Sequence, residues 1–246
     1  MNKFNYDVSI MEPEHKMPLI GDKAPEFTAN TTNGKINFPS DFNGKWIILF
    51  SHPSDFTPVC TTEFIEFQNI KDELQKLNTA LVGLSVGANS SHLAWFDAIE
   101  KMDIDGKHIK ITFPLIEDLN MRVANLYGMI HPNMSDTHAV RAVFIIDTKG
   151  IIRTIFYYPA TTGRNIEEIL RTLIALQTAD AFGVATPANW FPGHNVIIPA
   201  PNTAEKMHKY TYLKHKDYDV KSWFLIMKKL SDKSIYQKLY KNTAKK

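Results

Sequence analysis

The one thiol of the chain, Cys60, closes the stretch "SHPSDFTPVC", residues 51–60. A lone cysteine is most often a small buried hydrophobe. The setting of Cys60 argues for more. It follows a buried-strand pattern, "WIILF", and opens a helical pattern, "TTEFIEFQNIKDELQKL". Unpaired N–H groups and the positive dipole end of a helix converge on its first turn and favour negative charge there. The thiolate is the nucleophilic form of cysteine, so this is a setting for nucleophilic chemistry. Pro58 suits an N-terminal turn, where a missing N–H is no loss. Thr57 lies close to one helical turn before Cys60, so its hydroxyl can reach the sulfur. Pro53 turns the chain out of the strand and can roof the site.

The elements that must hold this stretch are legible in the periodicity. Residues 45–51 read as a buried strand. Phe64, Phe67, Ile70, Leu74 and Leu77 recur at three-to-four spacing, which predicts an amphipathic helix from Thr61. Residues 79–88 read as a second strand, and "SSHLAWFDAIEKM" as a helix capped by Ser90 or Ser91. "IKITFPLIED" predicts a third strand, interrupted or ended at Pro114. "LNMRVANLYG" predicts a short helix stopped by Gly128. "RAVFIIDTKGIIRTIFYY" predicts a hairpin turning at 147–150. "NIEEILRTLIALQ" predicts a long helix capped by Asn165. Strand–helix–strand–helix followed by hairpin–helix predicts an α/β fold: a mixed central sheet flanked by helices. That is the order of a thioredoxin-like fold with an insertion. After Gln177 the texture turns rich in proline and glycine. The expected division is therefore a 1–177 domain and a small 178–246 C-terminal extension.

Composition limits the function classes. At 246 residues and 44% apolar content, the chain can bury a sizeable core. One cysteine cannot form an internal disulfide or a cysteine-rich metal site. The histidines show no metal-ligand spacing, and His131 and His138 read as surface or capping residues. No metal or cofactor is expected. No apolar run would span a bilayer, and the N-terminal sixteen residues show no targeting pattern. The expectation is a cytoplasmic protein without a membrane partner. From Glu205 onward the chain carries a net charge of +8, against −6 for the rest. The tail lacks the aromatic-basic interleaving that stacks bases, so nucleic acid is not expected as a partner.

"PSDFTPVC" matches the P-x-x-x-T-x-x-C signature of the peroxiredoxins. The longer "SHPSDFTPVCTTEF" resembles their one-cysteine, peroxiredoxin-6-like branch. The resemblance runs from about Pro18 to Asn202 through "GDKAPEF", "RAVFIID", "YYPATTGRNIEEILR" and "TPANW". The long C-terminal extension is similar to that of archaeal and bacterial members. The resemblance implies a thioredoxin-like fold and a thiol-dependent peroxidase that reduces hydrogen peroxide and organic hydroperoxides. It implies that Cys60 attacks the peroxide and becomes a sulfenic acid. It implies that Thr57 hydrogen-bonds thiolate and peroxide, that Pro53 shields the sulfenate, and that Arg141 stabilises thiolate and leaving oxygen. Glu63 and Arg164 match a supporting pair, and His52 a histidine near the sulfur. Each has a plainer alternative. Arg141 could be a surface ion pair, Glu63 and Arg164 purely structural, and His52 a core-edge histidine bonded to backbone.

Many long-tailed relatives carry two further cysteines near the C-terminus. The comparable stretch here, "YDVKSWFLI", has Val220 and Ile226 instead. The implied mechanism therefore uses one cysteine and an external thiol reductant, from a thioredoxin, glutathione or glutaredoxin system. An oligomeric chaperone or a peroxide sensor using the same thiol remains an alternative. Retention of the whole Pro53, Thr57, Cys60 and Arg141 set argues for the enzyme. The resemblance also implies a homodimer, and further a decamer of five dimers. The apolar group Trp223, Phe224, Ile226, Met227 and Leu230 is expected to dock on a neighbouring subunit, the alternative being that the tail packs on its own chain.

Overall fold

The computed structural model describes residues 17–212 and 216–241. The N-terminal segment read above for targeting features lies outside the described residues. In chain order the elements are β1 (Phe27–Thr31), β2 (Gly34–Phe38), β3 (Trp46–Ser51), α1 (Pro58–Asn69), α2 (Lys71–Lys76) and β4 (Thr79–Ser85). Then come α3 (Asn89–Lys101), β5 (Leu115–Glu117), α4 (Arg122–Leu126), β6 (Arg141–Ile146), β7 (Ile152–Tyr158) and α5 (Ile166–Phe182). The C-terminal part adds β8 (Val196–Ile197), α6 (Ala204–Thr211), β9 (Tyr218–Ser222), β10 (Leu225–Lys228) and α7 (Asp232–Lys241).

Seven strands form one mixed sheet in the order β2-β1-β5-β4-β3-β6-β7. The pairs β3–β4 and β4–β5 are parallel, and β3–β6 is antiparallel. A strand buried on both faces must be apolar at every position. Strand β3 meets that demand up to its last residue: Trp46, Ile48 and Phe50 enter one core, Ile47 and Leu49 the other, and the buried Ser51 hydroxyl donates to the Val140 carbonyl at 2.6 Å. Strand β6 divides in the same way. Val143 and Ile145 belong to the first core, Ala142, Phe144 and Ile146 to the second. Alternation then puts Arg141 on the face of Val143, which is the face covered by α1.

Helix α1 carries Cys60, Glu63, Phe64 and Phe67 as buried residues. These stand at i, i+3, i+4 and i+7, one stripe of a helix. Cys60 and Glu63 therefore face the sheet together. The helix begins at Pro58 with Thr57 in extended conformation, so Cys60 sits in the first turn as its sequence predicts. The apolar run predicted as one helix is two, α1 and α2, meeting at Ile70.

Several expectations are corrected. The cap residue of α3 is Ala88, with neither Ser90 nor Ser91 in that role. The leading N–H of α3, that of Asn89, is taken by Glu117 Oε1 at 2.9 Å, so no serine cap is needed there. The third strand starts after Pro114 and covers only Leu115–Glu117. Proline has no N–H for a ladder, and the Pro114 carbonyl instead accepts from Gly83 N at 2.9 Å. The texture change at Gln177 marks no element boundary. Helix α5, capped by Asn165 through the Glu168 N–H, runs on to Phe182, and Gly183 closes it with φ 62°.

The tail also differs from expectation. Strands β8, β10 and β9 form a second, three-stranded sheet. Ile226 and Leu230 are buried, and Ile235 and Leu239 of α7 join the core of the main body. The Tyr240 hydroxyl bonds Glu73 of α2. These tail residues pack on their own chain, because α7 supplies an apolar stripe that fits beside α5. Trp223 and Phe224, between β9 and β10, stay exposed.

Candidate active site

The sulfur of Cys60 is fully buried and lies 3.3 Å from Arg141 Nη1. The same nitrogen is 2.7 Å from Glu63 Oε2. Arg141 Nε and Nη2 both donate to the carbonyl of Ala160, at 3.1 and 2.8 Å. Its guanidinium is thus fixed from two sides and presents one N–H edge to the sulfur. At 2% exposure, Arg141 is no surface ion pair.

Arg164 sits behind Glu63. Its Nε and Nη2 hold the two carboxylate oxygens at 2.9 and 2.7 Å, a bidentate fork. Its backbone N–H adds a bond to Oε1 at 2.8 Å. Arg164 Nη1 donates to the carbonyls of Ser51 and Ala142. The β3–β6 register ends at Phe50↔Val143. The side chain of Arg164 therefore continues the stitching of those strands beyond their ladder. Its guanidinium also lies over the rings of Phe50 and Phe67, at 5.2 and 5.4 Å. Burial alone would push the Glu63 carboxyl up. The charge and bonds of Arg164, with the charge of Arg141, outweigh it and hold Glu63 below the usual carboxylate range. Burial pulls Arg164 below the ordinary arginine value, although Glu63 works against it.

The loop 52–57 departs from expectation at Thr57. Its hydroxyl donates to the Ser54 carbonyl at 2.8 Å. That hydrogen is not directed at the sulfur; the oxygen keeps its acceptor lone pairs. Phe56, just before it, has φ 55° and is 59% exposed. A bulky residue in the left-handed region is a strained position, typical of loops over-determined by their surroundings. Pro53 is half-buried between His52 and this turn.

His52 is fully buried, yet among the described residues its side chain bonds no backbone group. Its Nε2 is 3.1 Å from Asp55 Oδ1. The ring lies against Phe64 at 4.7 Å and Trp95 at 5.1 Å. Burial lowers the His52 pKa, although Asp55 opposes this through its hydrogen bond and charge. The structure thus brings Cys60, Glu63, Arg141 and Arg164 into one bonded cluster, and leaves Thr57 and His52 on other partners. Sequence reasoning misses Asp55, Ser91, His92 and the Ala160 carbonyl. No local spacing links Asp55 to His92, so no pattern could have found that pair.

Comparison with known proteins bears on what this cluster is. Residues 20–155 match the AhpC/TSA family, and residues 175–213 match the C-terminal domain of 1-Cys peroxiredoxin. A peroxiredoxin of Methanosarcina mazei is 53% identical over 219 residues, which cover 88% of this chain and 100% of the relative. A peroxiredoxin of Aquifex aeolicus is 49% identical, covering 87% of this chain and 98% of the relative. Among solved structures, a yeast mitochondrial 1-Cys peroxiredoxin matches with a TM-score of 0.76 at 41% identity, covering 87% of this chain and 100% of that one. A cysteine-to-serine mutant of peroxiredoxin 6 from Arenicola marina matches with a TM-score of 0.74 at 32% identity, covering 87% and 99%. With both family matches in chain order, a thioredoxin-like body and a buried thiol under an arginine, the chain belongs to the AhpC/TSA family and is a peroxiredoxin, a thiol peroxidase.

Proposed function

We propose that Cys60 is the peroxidatic residue of a one-cysteine peroxidase acting on hydrogen peroxide and organic hydroperoxides. The observation that carries this reading is the 3.3 Å approach of Arg141 Nη1 to Cys60 Sγ in the first turn of α1. The Cys60 thiolate attacks the terminal peroxide oxygen. An S–O bond forms, the O–O bond breaks, and the leaving oxygen takes a proton from water. Negative charge moves from sulfur to oxygen during this step, so donors fixed near both stabilise the transition state. Arg141 is the fixed donor. Thr57 offers lone pairs to the O–H of the substrate, and Pro53 covers the sulfenic acid. Glu63 and Arg164 hold Arg141 in place, and His52 lines the site.

A donor thiol then attacks the sulfenic acid, water leaves, and a mixed disulfide remains. A second donor thiol releases Cys60. The sequence contains no other cysteine to take this part. The yeast relative was solved in connection with thiol resolution by glutathione and thioredoxin systems. Those systems, with glutaredoxin, are the proposed reductants here. A donor screen tests the reading. Peroxide consumption is expected to continue for many turnovers with at least one of these thiol systems. Non-reducing gels of peroxide-treated protein should show no rapidly formed disulfide dimer that turnover requires. A burst of one equivalent with every donor would leave only a sensor, and an obligatory dimer would overturn the one-cysteine mechanism. A holdase needs none of the buried bonding around Cys60, so that bonding supports turnover.

The proposed organisation is a 1–177 domain with a 178–246 extension. It is supported by two separate family matches that part between 155 and 175, with helix α5 crossing the junction. The proposed assembly is a homodimer, and beyond it a decamer. The exposed pair Trp223 and Phe224 supports a contact between copies. Light scattering of the intact chain at micromolar concentration is expected to give at least a dimer mass. A monomer mass overturns the dimer, and a dimer mass overturns only the ring. Among the described residues, no helix is long and apolar enough to cross a membrane. The compartment proposed is the cytoplasm.

A further inference from the structure

The carboxylate of Asp55 gathers three donors from two elements. His52 Nε2 stands 3.1 Å from Oδ1. His92 Nδ1 stands 2.8 Å from Oδ2, and Ser91 Oγ donates to the same oxygen at 2.7 Å. Both histidines are fully buried, and the Asp55 side chain is 6% exposed. Among the described residues, His52 Nδ1 and His92 Nε2 are buried without a hydrogen-bond partner. Burial pushes the Asp55 carboxyl up, but its bonds to His52, His92 and Ser91 overcome that and hold it well below the usual range. An ionised carboxylate only accepts. Both histidines must therefore donate to it, His52 through Nε2 and His92 through Nδ1. His52 carries its hydrogen on Nε2, and its Nδ1 is a bare lone pair.

We infer that Asp55, Ser91 and His92 are positioning residues of the peroxidase reaction: they lock His52 in the Nε2–H tautomer and tie the 52–57 loop to helix α3. The inference rests on the proposed active site, since His52 directly precedes Pro53 and its ring packs on Phe64, one turn beyond Cys60. A lone pair held on Nδ1 can accept an O–H hydrogen of a hydroperoxide or of the sulfenic acid. The opposite tautomer could not. The clamp also fixes the loop carrying Pro53 and Thr57, whose strained Phe56 needs such an anchor.

The test is Asp55→Asn in the full chain. An amide has one acceptor oxygen. Two donors, Ser91 and His92, already share Oδ2, so the amide oxygen belongs on that side. The NH₂ group then faces His52 Nε2 and forces the hydrogen to Nδ1. Nitrogen NMR of histidine-labelled protein is expected to show the bare nitrogen of His52 moved from Nδ1 to Nε2. The rate of sulfenic acid formation with hydrogen peroxide is expected to fall by about tenfold or more, as wrong-tautomer histidines behave elsewhere. A parental rate overturns the inference, and so does an unmoved tautomer. Gly87→Ala carries the test if Asp55→Asn does not fold. Its Cβ would stand 2.9 Å from His92 Cε1, so the ring must leave its present place beside Asp55. A rate loss of about threefold or more is expected from such misplacement, and a parental rate overturns the inference. The tautomer readout does not depend on the sulfur, so it separates this inference from the assignment of Cys60.

Discussion

Cys60→Ser is expected to abolish peroxide reduction, leaving no rate above the uncatalysed background. Serine keeps the size of the side chain, so the buried packing under Arg141 and beside Phe64 persists. What disappears is the nucleophile. A serine hydroxyl has no general base arranged to activate it, because the nearest carboxylate, Glu63, is fully engaged by Arg141 and Arg164. A coupled peroxidase assay measures the rate, and circular dichroism shows whether the fold is retained. Peroxide consumption at the parental rate by a folded Cys60→Ser variant would remove Cys60 from the mechanism. In the parent, one equivalent of peroxide should yield a sulfenic acid at Cys60, and excess should drive it to sulfinic and sulfonic acids.

The second large effect belongs to Arg141→Met. Methionine fills much of the same volume without charge or donors. Removing a fixed donor aimed at developing charge typically slows a reaction by about 100-fold to 1000-fold. The bimolecular rate of Cys60 oxidation, followed by stopped-flow fluorescence, is expected to fall in that range. A loss below about threefold would put Arg141 outside the transition state and leave it a structural role only. Stability should fall as well, because Glu63 loses one of its two cationic partners. Breaking a buried ion pair from one side costs about 3–5 kcal/mol when the remaining charge is left unpaired. Here Arg164 still holds both carboxylate oxygens, so the loss is expected at or below the lower end of that range.

Much of this site is written locally. The start of α1 can be read from Thr57-Pro58, and the inward stripe from the spacing of Cys60, Glu63, Phe64 and Phe67. The hairpin at 147–150 and the Asn165 cap are equally local, since each depends on a few adjacent residues. The β1–β2 hairpin escapes a reading by periodicity, although Asn33-Gly34 is a strong turn signal. Its strands bury only Phe27, Thr31 and Phe38, so their alternation is faint. Spacing alone misplaces the Thr57 hydroxyl because a local hydrogen bond to Ser54 competes with a longer reach. The tail defeats sequence reasoning for a different reason. Its apolar residues are visible in the sequence, but which surface they cover depends on where α7 turns back. The Asp55–His92 pairing lies beyond any local rule, since only the packing of α3 against the sheet creates it.

The cluster around Cys60 has a further consequence, one of electrical balance. In the proposed cycle the attacking thiolate and Glu63 stand against Arg141 and Arg164, two negative charges against two positive. Oxidation in the proposed cycle turns the sulfur into a neutral sulfenic acid. Both guanidiniums stay charged, so the site gains one net positive charge. An uncompensated charge in a buried place draws in an anion. The next reactant in the cycle is a donor thiolate, which is an anion. In that proposed cycle the oxidised site attracts its reductant by losing a charge, and it gives up the attraction once Cys60 is free again.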